Sequence, residues 1–389
     1  MKVLSKERFL RYENGRPVCT GFVTYISREK PILMHCFGRV DASDTYDDYV
    51  FSLSYDNGVT WEEPVPLLKS CQVPGGVVRY AEPAAFFDPE TERLLVVADR
   101  MFYPEDTLDV DAKRELVLDV YDPATDTWAG LRPLEFGLPY GLAVSFCFPI
   151  KTSRGRLVFP VQTHLLDEDG KPIHYKGCWA PAGVVLFLLG DYRSDGSIAW
   201  HLSSPIVPDL EKTSRGFYEA TVAELRDGRF AAVLRGDNSM FPERPGYKWL
   251  SFSEDHCETW SEPIPLPCDR GEPIESSSTG SALFRSLKTG KLYWMGNLCI
   301  EGVRPNGNMP RSPLVIAEVQ EEPFALKRDT LTVIDRRAPG EPPTLQLSNF
   351  RFYQDRENGD AVLFLTRYAE HSAEEWKLAD YYRYRVALD

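Results

Sequence analysis

Histidine is scarce in this 389-residue chain, six residues in all. None of them forms an HExxH pair or another tight ligand cluster, so no metal centre can be read from the sequence and no cofactor is expected. The eight cysteines (Cys19, Cys36, Cys71, Cys147, Cys178, Cys257, Cys268 and Cys299) lack both a CxxC pair and framework spacing. They read as reduced structural thiols that fill space as small hydrophobes. Basic charge is in deficit: 44 Lys and Arg face 58 Asp and Glu, a formal net charge of -14. That balance argues against a nucleic-acid partner, which needs a basic face to displace phosphate counterions. No apolar run is long enough to span a bilayer. The opening MKVLSKERFLRYENGR carries charges where a secretory leader needs its apolar stretch, so the expected location is the cytoplasm, without a membrane partner. Helical periodicity is nearly absent as well; only HSAEEWKLAD (371–380) tempts, and it is short.

What the chain has is a repeat. Four tryptophans close hairpin-like segments: SYDNGVTW at Trp61, YDPATDTW at Trp128, YRSDGSIAW at Trp200 and SEDHCETW at Trp260, spaced 67, 72 and 60 residues apart. This period exceeds that of a solenoid and suits a four-stranded propeller blade with generous loops. Between the tryptophans lie short β-type runs bounded by turn residues: RLLVVAD, GRLVFPV, GRFAAVL and KLYWMG. PFALKRDTLTVID reads as the outer part of a fifth blade, and SNFRFYQD with AVLFLTRY as strands of a sixth. The C-terminal YYRYRVALD or the N-terminal segment would complete it. The expectation is an all-β, six-bladed β-propeller, one domain over residues 1–389.

Two of the hairpins resemble the Asp box, S-x-D-x-G-x-T-W, of the sialidase superfamily. Ser54-Tyr55-Asp56-Asn57-Gly58-Val59-Thr60-Trp61 matches throughout. Asp56 can accept from turn amides, Gly58 can take positive φ, and Trp61 can fill space between strands. The second copy keeps Ser253, Asp255, Thr259 and Trp260 but puts Cys257 at the glycine position, a cost of about 1 kcal/mol if φ is positive there. The resemblance implies a sialidase-type propeller, with ligands taken by loops leading into the blades.

Further positions carry it into chemistry. GRVDASDTYDDYVFSLSYDNGVTW looks like the first-blade stretch of sialidases, which implies that Arg39 contacts substrate and that Asp44, among Asp41, Asp47 and Asp48, is the general acid/base. GFYEATVAELRDGRFAAVLRGDNS is the closest local match. Glu219 and Arg235 flank two strands and an Asp227-Gly228 turn, so both ends return to one edge of the blade. The family reading makes Glu219 the carboxylate that tunes a nucleophile and Arg235 part of an arginine cluster for a substrate carboxylate. NMPRSPLVIAEV similarly implies Arg311 for that cluster, with Arg304 a nearby competitor. Arg79, Tyr80, Glu82, His164, His174, Asn297 and Glu301 are further polar candidates near blade starts.

Two positions depart from the family pattern. PVCTGFVTY offers Cys19, with Arg16 a few residues early, where sialidases open with an arginine; Leu347-Ser348-Asn349-Phe350 stands where they carry their tyrosine nucleophile, with Tyr353 nearby but out of strand phase. The expected activity is therefore a sialidase-like exo-glycoside hydrolase acting on a terminal acidic sugar, with Asp44 as acid/base and Glu219 as second carboxylate. The alternatives are a carbohydrate-binding propeller without catalysis and a polysaccharide lyase; a purely structural scaffold also remains open.

Overall fold

In a computed structural model of the chain, residues 1–300 and 302–388 are described, so the candidate Glu301 lies outside the described residues. The chain is all-β and carries the six antiparallel sheets of a six-bladed β-propeller. It falls into two compact units, Met1–Val144 with Asn349–Asp389, and Ser145–Ser348. Among the described residues no helix is long and apolar enough to cross a membrane. HSAEEWKLAD forms no helix; two single 3-10 turns, Tyr175–Gly177 and Arg328–Thr330, are the helical content described.

The first unit holds three sheets. One runs Val18–Tyr25, Leu33–Arg39, Tyr49–Ser54, Val65–Leu68 in chain order; the second is built on Gly76–Asp88, Arg93–Pro104 and Arg114–Asp122. In the third, Phe350–Gln354, Ala361–Thr366 and Tyr381–Ala387 are completed by the N-terminal strand Lys2–Leu10. Both chain ends thus contribute to one sheet, and the first strand covers what would be the open edge of the last. The second unit contains the sheets of Leu157–His164, of Phe230–Arg235 and of Leu292–Asn297, each paired with its sequence neighbours. Thr332–Asp335 pairs beside Phe324–Leu326 on Leu314–Glu321, as the fifth-blade reading requires.

Two sheets hide one strand completely. Leu292–Asn297 and Ala361–Thr366 are buried along their whole length, because both of their faces are covered and the sequence runs apolar without alternation. The four tryptophans pack where the repeat demands aromatic filling. Trp260 stacks on Phe187 at 4.3 Å, Trp128 meets Tyr121 at 4.8 Å, Trp61 lies 5.4 Å from His35, and Trp200 lies 6.0 Å from Phe159.

The turns before Trp61 and Trp260 are built alike. Ser54 accepts from the Gly58 amide at 2.8 Å and donates to Asp56, which accepts the Thr60 amide at 2.8 Å. Ser253, Asp255, Cys257 and Thr259 repeat these bonds. The chain is left-handed at Asn57 and Gly58 (φ 59° and 81°) and at His256 and Cys257 (φ 61° and 70°). Cys257 therefore carries the strain foreseen for a residue with a Cβ there, about 1 kcal/mol, offset by complete burial of its side chain.

Candidate active site

The strand Tyr218–Glu224 does not pair evenly with Phe230–Arg235. Tyr218 lies opposite Arg235 and Thr221 opposite Val233, so one extra residue bulges between them. Glu219 occupies that bulge at φ 41°, a left-handed conformation that costs a residue with a Cβ roughly 1 kcal/mol or more and re-aims its side chain. Gln162 holds the strained backbone by accepting the Glu219 amide at 2.8 Å. The sequence-derived pairing is met directly: Arg235 donates to Glu219 Oε1 at 2.5 Å, with the two side chains only 11% and 17% exposed. Arg235 further donates to Ser278 at 2.9 Å and to the Asn308 side chain at 3.0 Å.

Arg311 joins through the same segment. It donates to the Asn308 carbonyl at 3.2 Å, to Gln346 at 2.8 Å and to Ser348 at 3.3 Å. Lys248, directly opposite Arg235 in the sheet and buried, donates to the Ser277 carbonyl and to Thr279 Oγ1, each at 3.0 Å. Like charges facing each other across a sheet repel. Burial first, and then the Arg235 charge, pull the Lys248 pKa down to about 7, while Glu219 pulls the other way. Burial by itself would raise the Glu219 carboxyl, but the charge and hydrogen bond of Arg235, with Arg311 and Lys248 behind it, hold it below the ordinary glutamate range. Among the described residues, Arg235, Arg311 and Lys248 are the cations that act on this carboxylate, a setting suited to an anionic guest. Arg304 sits apart from it, exposed, on Glu275.

In the other unit the four-aspartate loop sorts itself by partner. Asp41 and Asp47 both pair with Arg16, Asp47 also lies 3.2 Å from Arg79, and Asp48 accepts the Ser70 amide at 2.6 Å. Among the described residues neither Asp44 nor Asp48 has a cation partner, and the Asp44 carboxylate receives only the Ser43 hydroxyl at 3.0 Å. It is exposed, at φ 56°, and the Tyr103 hydroxyl anchors its carbonyl at 3.0 Å. A carboxylate fixed through its backbone and left uncommitted at its tip suits proton transfer. Arg39 is committed elsewhere, to Glu13 at 2.8 Å and to the Arg16 carbonyl at 3.0 Å.

Glu82, one of the further polar candidates near blade starts, is a second strained glutamate. Glu82 sits at φ 37° on a bulge between Ala81 and Ala84, the same device that displays Glu219. It accepts from Tyr46 at 2.8 Å, its amide donates to Tyr49, and Arg351, 5% exposed, lies 3.7 Å away. The available signal was the recurrence of a tyrosine and a glutamate just ahead of an apolar strand in YAEPAAF and FYEATVA. Cys19, beside this group at 3.8 Å from the Tyr49 hydroxyl, is no thiolate: burial, reinforced by the Glu82 charge, pushes its pKa up to about 12. Tyr353 packs edge-on against Tyr25 at 5.6 Å in the core, and burial raises its phenol further. At the position where the resemblance places a tyrosine the chain has Leu347, fully buried.

His174 bonds the Cys178 carbonyl at 2.8 Å, and Asn297 ties together the carbonyls of Arg311, Pro313 and Leu347, which are framework roles. Glu370, His371 and Asp380 bring possible ligand atoms within 4.8 Å of one another, but Arg367 and Arg8 already bond the two carboxylates. That pairing opposes a cation there.

No protein-family model and no curated protein matches the sequence. Solved structures do. The intramolecular trans-sialidase from Ruminococcus gnavus is 14% identical with a TM-score of 0.65, covering 99% of this chain and 97% of that one. The NanB sialidase from Streptococcus pneumoniae is 14% identical with a TM-score of 0.62, covering 98% of this chain and 70% of that one. The α-L-arabinanase of Penicillium chrysogenum, crystallised with arabinobiose, is 13% identical with a TM-score of 0.59 over 100% and 99% of the two chains. All three are built on the architecture that the tryptophan repeat foreshadows, and this chain has the six-bladed β-propeller fold of the sialidases.

Proposed function

We propose that this protein is a glycoside hydrolase that removes a terminal acidic sugar. The observation that carries the reading is the Glu219–Arg235 pair: a largely buried carboxylate on a left-handed bulge, ion-paired to Arg235 and within the fields of Arg311 and Lys248. Strained, charge-paired residues of this kind concentrate at functional sites. In this reading Arg235 and Arg311 grip the sugar carboxylate, Glu219 is the second carboxylate of the reaction, and the uncommitted Asp44 is the general acid. The similarity to sialidases and to an arabinanase supports glycoside chemistry, and the two Asp-box-like turns belong to the same reading. With Leu347 at the position where the resemblance places the tyrosine, a carboxylate-activated water and inversion at the anomeric carbon are expected.

The test is a panel of labelled glycosides of sialic acids, related keto-sugars, uronates and neutral sugars, run on wild type, Asp44→Asn and Glu219→Gln. Release of one sugar by wild type, with at least a hundredfold loss in both variants, is the expected result. Undiminished turnover in both variants would refute the assignment. A second reading, a carbohydrate-binding propeller without catalysis, draws on Leu347 and on the commitment of Glu219 to Arg235; saturable binding without product would select it.

A further inference from the structure

Four residues before Glu219 lies an arginine whose surroundings are unlike those of its neighbours. Arg215 is 9% exposed, yet among the described residues it donates no hydrogen bond and forms no ion pair, and its Nε is buried without a partner. Its contacts are aromatic: the guanidinium carbon lies 5.0 Å from the Trp179 ring centre and 5.4 Å from that of Tyr218. A desolvated guanidinium that spends none of its five donors on protein is costly, and aromatic faces return only part of that cost.

The surrounding groups fix the arginine without hydrogen-bonding it; burial would raise the nearby Asp237 carboxyl, but the Ser239 hydroxyl and the Arg215 charge hold it below the usual range. Ser214, which precedes it, donates to Asp237 Oδ1 at 2.7 Å, and Ser239 donates to the same oxygen. Asp237 Oδ2 is buried and unpartnered. Tyr218 is pinned by its hydroxyl to the Pro181 carbonyl, and the Arg215 carbonyl accepts the Gly183 amide at 2.8 Å. Trp179, in contrast, is 58% exposed, an indole face offered to solvent beside a buried cation. A sugar ring stacks on such a face, and a planar carboxylate matches the arginine fork with two hydrogen bonds. Tyr218 and Glu219 are consecutive, so this feature adjoins the Glu219–Arg235 centre in the same unit.

We propose that Arg215, Trp179 and Tyr218 form a second carbohydrate subsite, which binds the carboxylate of a uronate-type sugar on Arg215 while the ring stacks on Trp179. The substrate is then a glycan with an acidic sugar next to the residue being released. This rests on the glycosidase reading only for the identity of the neighbouring centre.

The test uses the full chain and two probes, methyl β-D-glucuronoside as its sodium salt and the same sugar as its methyl ester, which keeps the ring and removes the charge. Binding is measured by calorimetry and by quenching of tryptophan fluorescence. Wild type is expected to prefer the acid by roughly tenfold to a hundredfold, the range of a charge-assisted pair. Arg215→Ala is expected to abolish the preference, Arg215→Lys to keep part of it, and Trp179→Ala to weaken acid and ester alike. Equal binding of acid and ester by wild type, a preference that survives Arg215→Ala, or no binding of either probe each overturns the subsite. So does a preference lost in Arg235→Met but kept in Arg215→Ala, which would put the carboxylate on the neighbouring centre. Hydrolysis is scored separately. Acid preference without turnover of any glycoside leaves the subsite standing and sinks the hydrolase, whereas turnover indifferent to Arg215→Ala does the reverse.

Discussion

Removing the Arg235 guanidinium isolates the energetics of the centre. Arg235→Met keeps most of the aliphatic stem and deletes the donors that reach Glu219 at 2.5 Å, Ser278 at 2.9 Å and Asn308 at 3.0 Å. Breaking a buried ion pair from one side typically costs 3–5 kcal/mol, because the surviving charge stays desolvated. Here the pair keeps a little solvent contact and Glu219 keeps the fields of Arg311 and Lys248, so the low end, about 3 kcal/mol, is expected. For a unit of this size that corresponds to a fall in Tm of roughly 6–12 °C. Glu219→Gln removes the charge but keeps an acceptor, at a cost of about 1 kcal/mol. The double variant should recover part of the loss, with a coupling energy of about 1.5–2 kcal/mol across the four-protein cycle in scanning calorimetry. A coupling under about 0.5 kcal/mol, the level of an exposed pair, would refute the claim that this centre is desolvated. Arg235→Met should also release Lys248 from repulsion and raise its pKa above about 7, readable in the NMR titration of the lysine side chain.

Asp44→Asn should leave stability within about 0.5 kcal/mol of wild type, since the carboxylate is exposed and bonds only Ser43, while turnover collapses; a large stability loss in urea unfolding would make it a structural residue. Gly58→Ala should destabilise by about 1–2 kcal/mol, because φ is 81° and the added Cβ would stand 2.9 Å from the Tyr353 hydroxyl, so an unchanged Tm would contradict the turn geometry. His35 is buried with its ring 4.6 Å from Phe364, and burial drives its pKa down to about 3. The folded state therefore refuses a proton that the unfolded chain accepts at about 6.5, so the contribution is present above that pH and is lost as pH falls towards 3. Stability measured from pH 7 to 4 should fall more steeply for wild type than for His35→Phe, and parallel curves would show that the ring is protonated in the fold.

The fold was legible because its demands are local and repeated. Tryptophans at near-constant spacing, each closing a turn of Gly, Asp or Asn, and unbroken apolar runs such as LYWMG and AVLFLT leave few alternatives to stacked four-stranded sheets. Glu219 and Arg235 were legible for a similar reason: one hairpin returns them to the same edge, so sequence separation alone predicts the contact. Glu82 shares the bulge but not the advantage. Its arginine, Arg351, arrives from the far end of the chain, and no local pattern announces that meeting. Arg39 differs again: its position resembles the family's, while its partners Glu13 and the Arg16 carbonyl lie in a segment with no repeat to announce them.

Arg215 marks the limit of reading from residue types. What distinguishes it is the set of bonds it does not make, and an unspent donor is invisible until every neighbour has been placed. The strain at Glu219 and the unsatisfied guanidinium at Arg215 lie four residues apart on one strand approach, and both are costs that a merely structural blade would have no reason to carry. Other arginines show how readily this architecture satisfies itself: Arg156 bonds Asp191 and Glu258, and Arg79 bonds Asp47 and Asp106. Against that background, the approach from Ser214 to Glu219 is where the sequence gives up stability, and a ligand that supplies a carboxylate would return it.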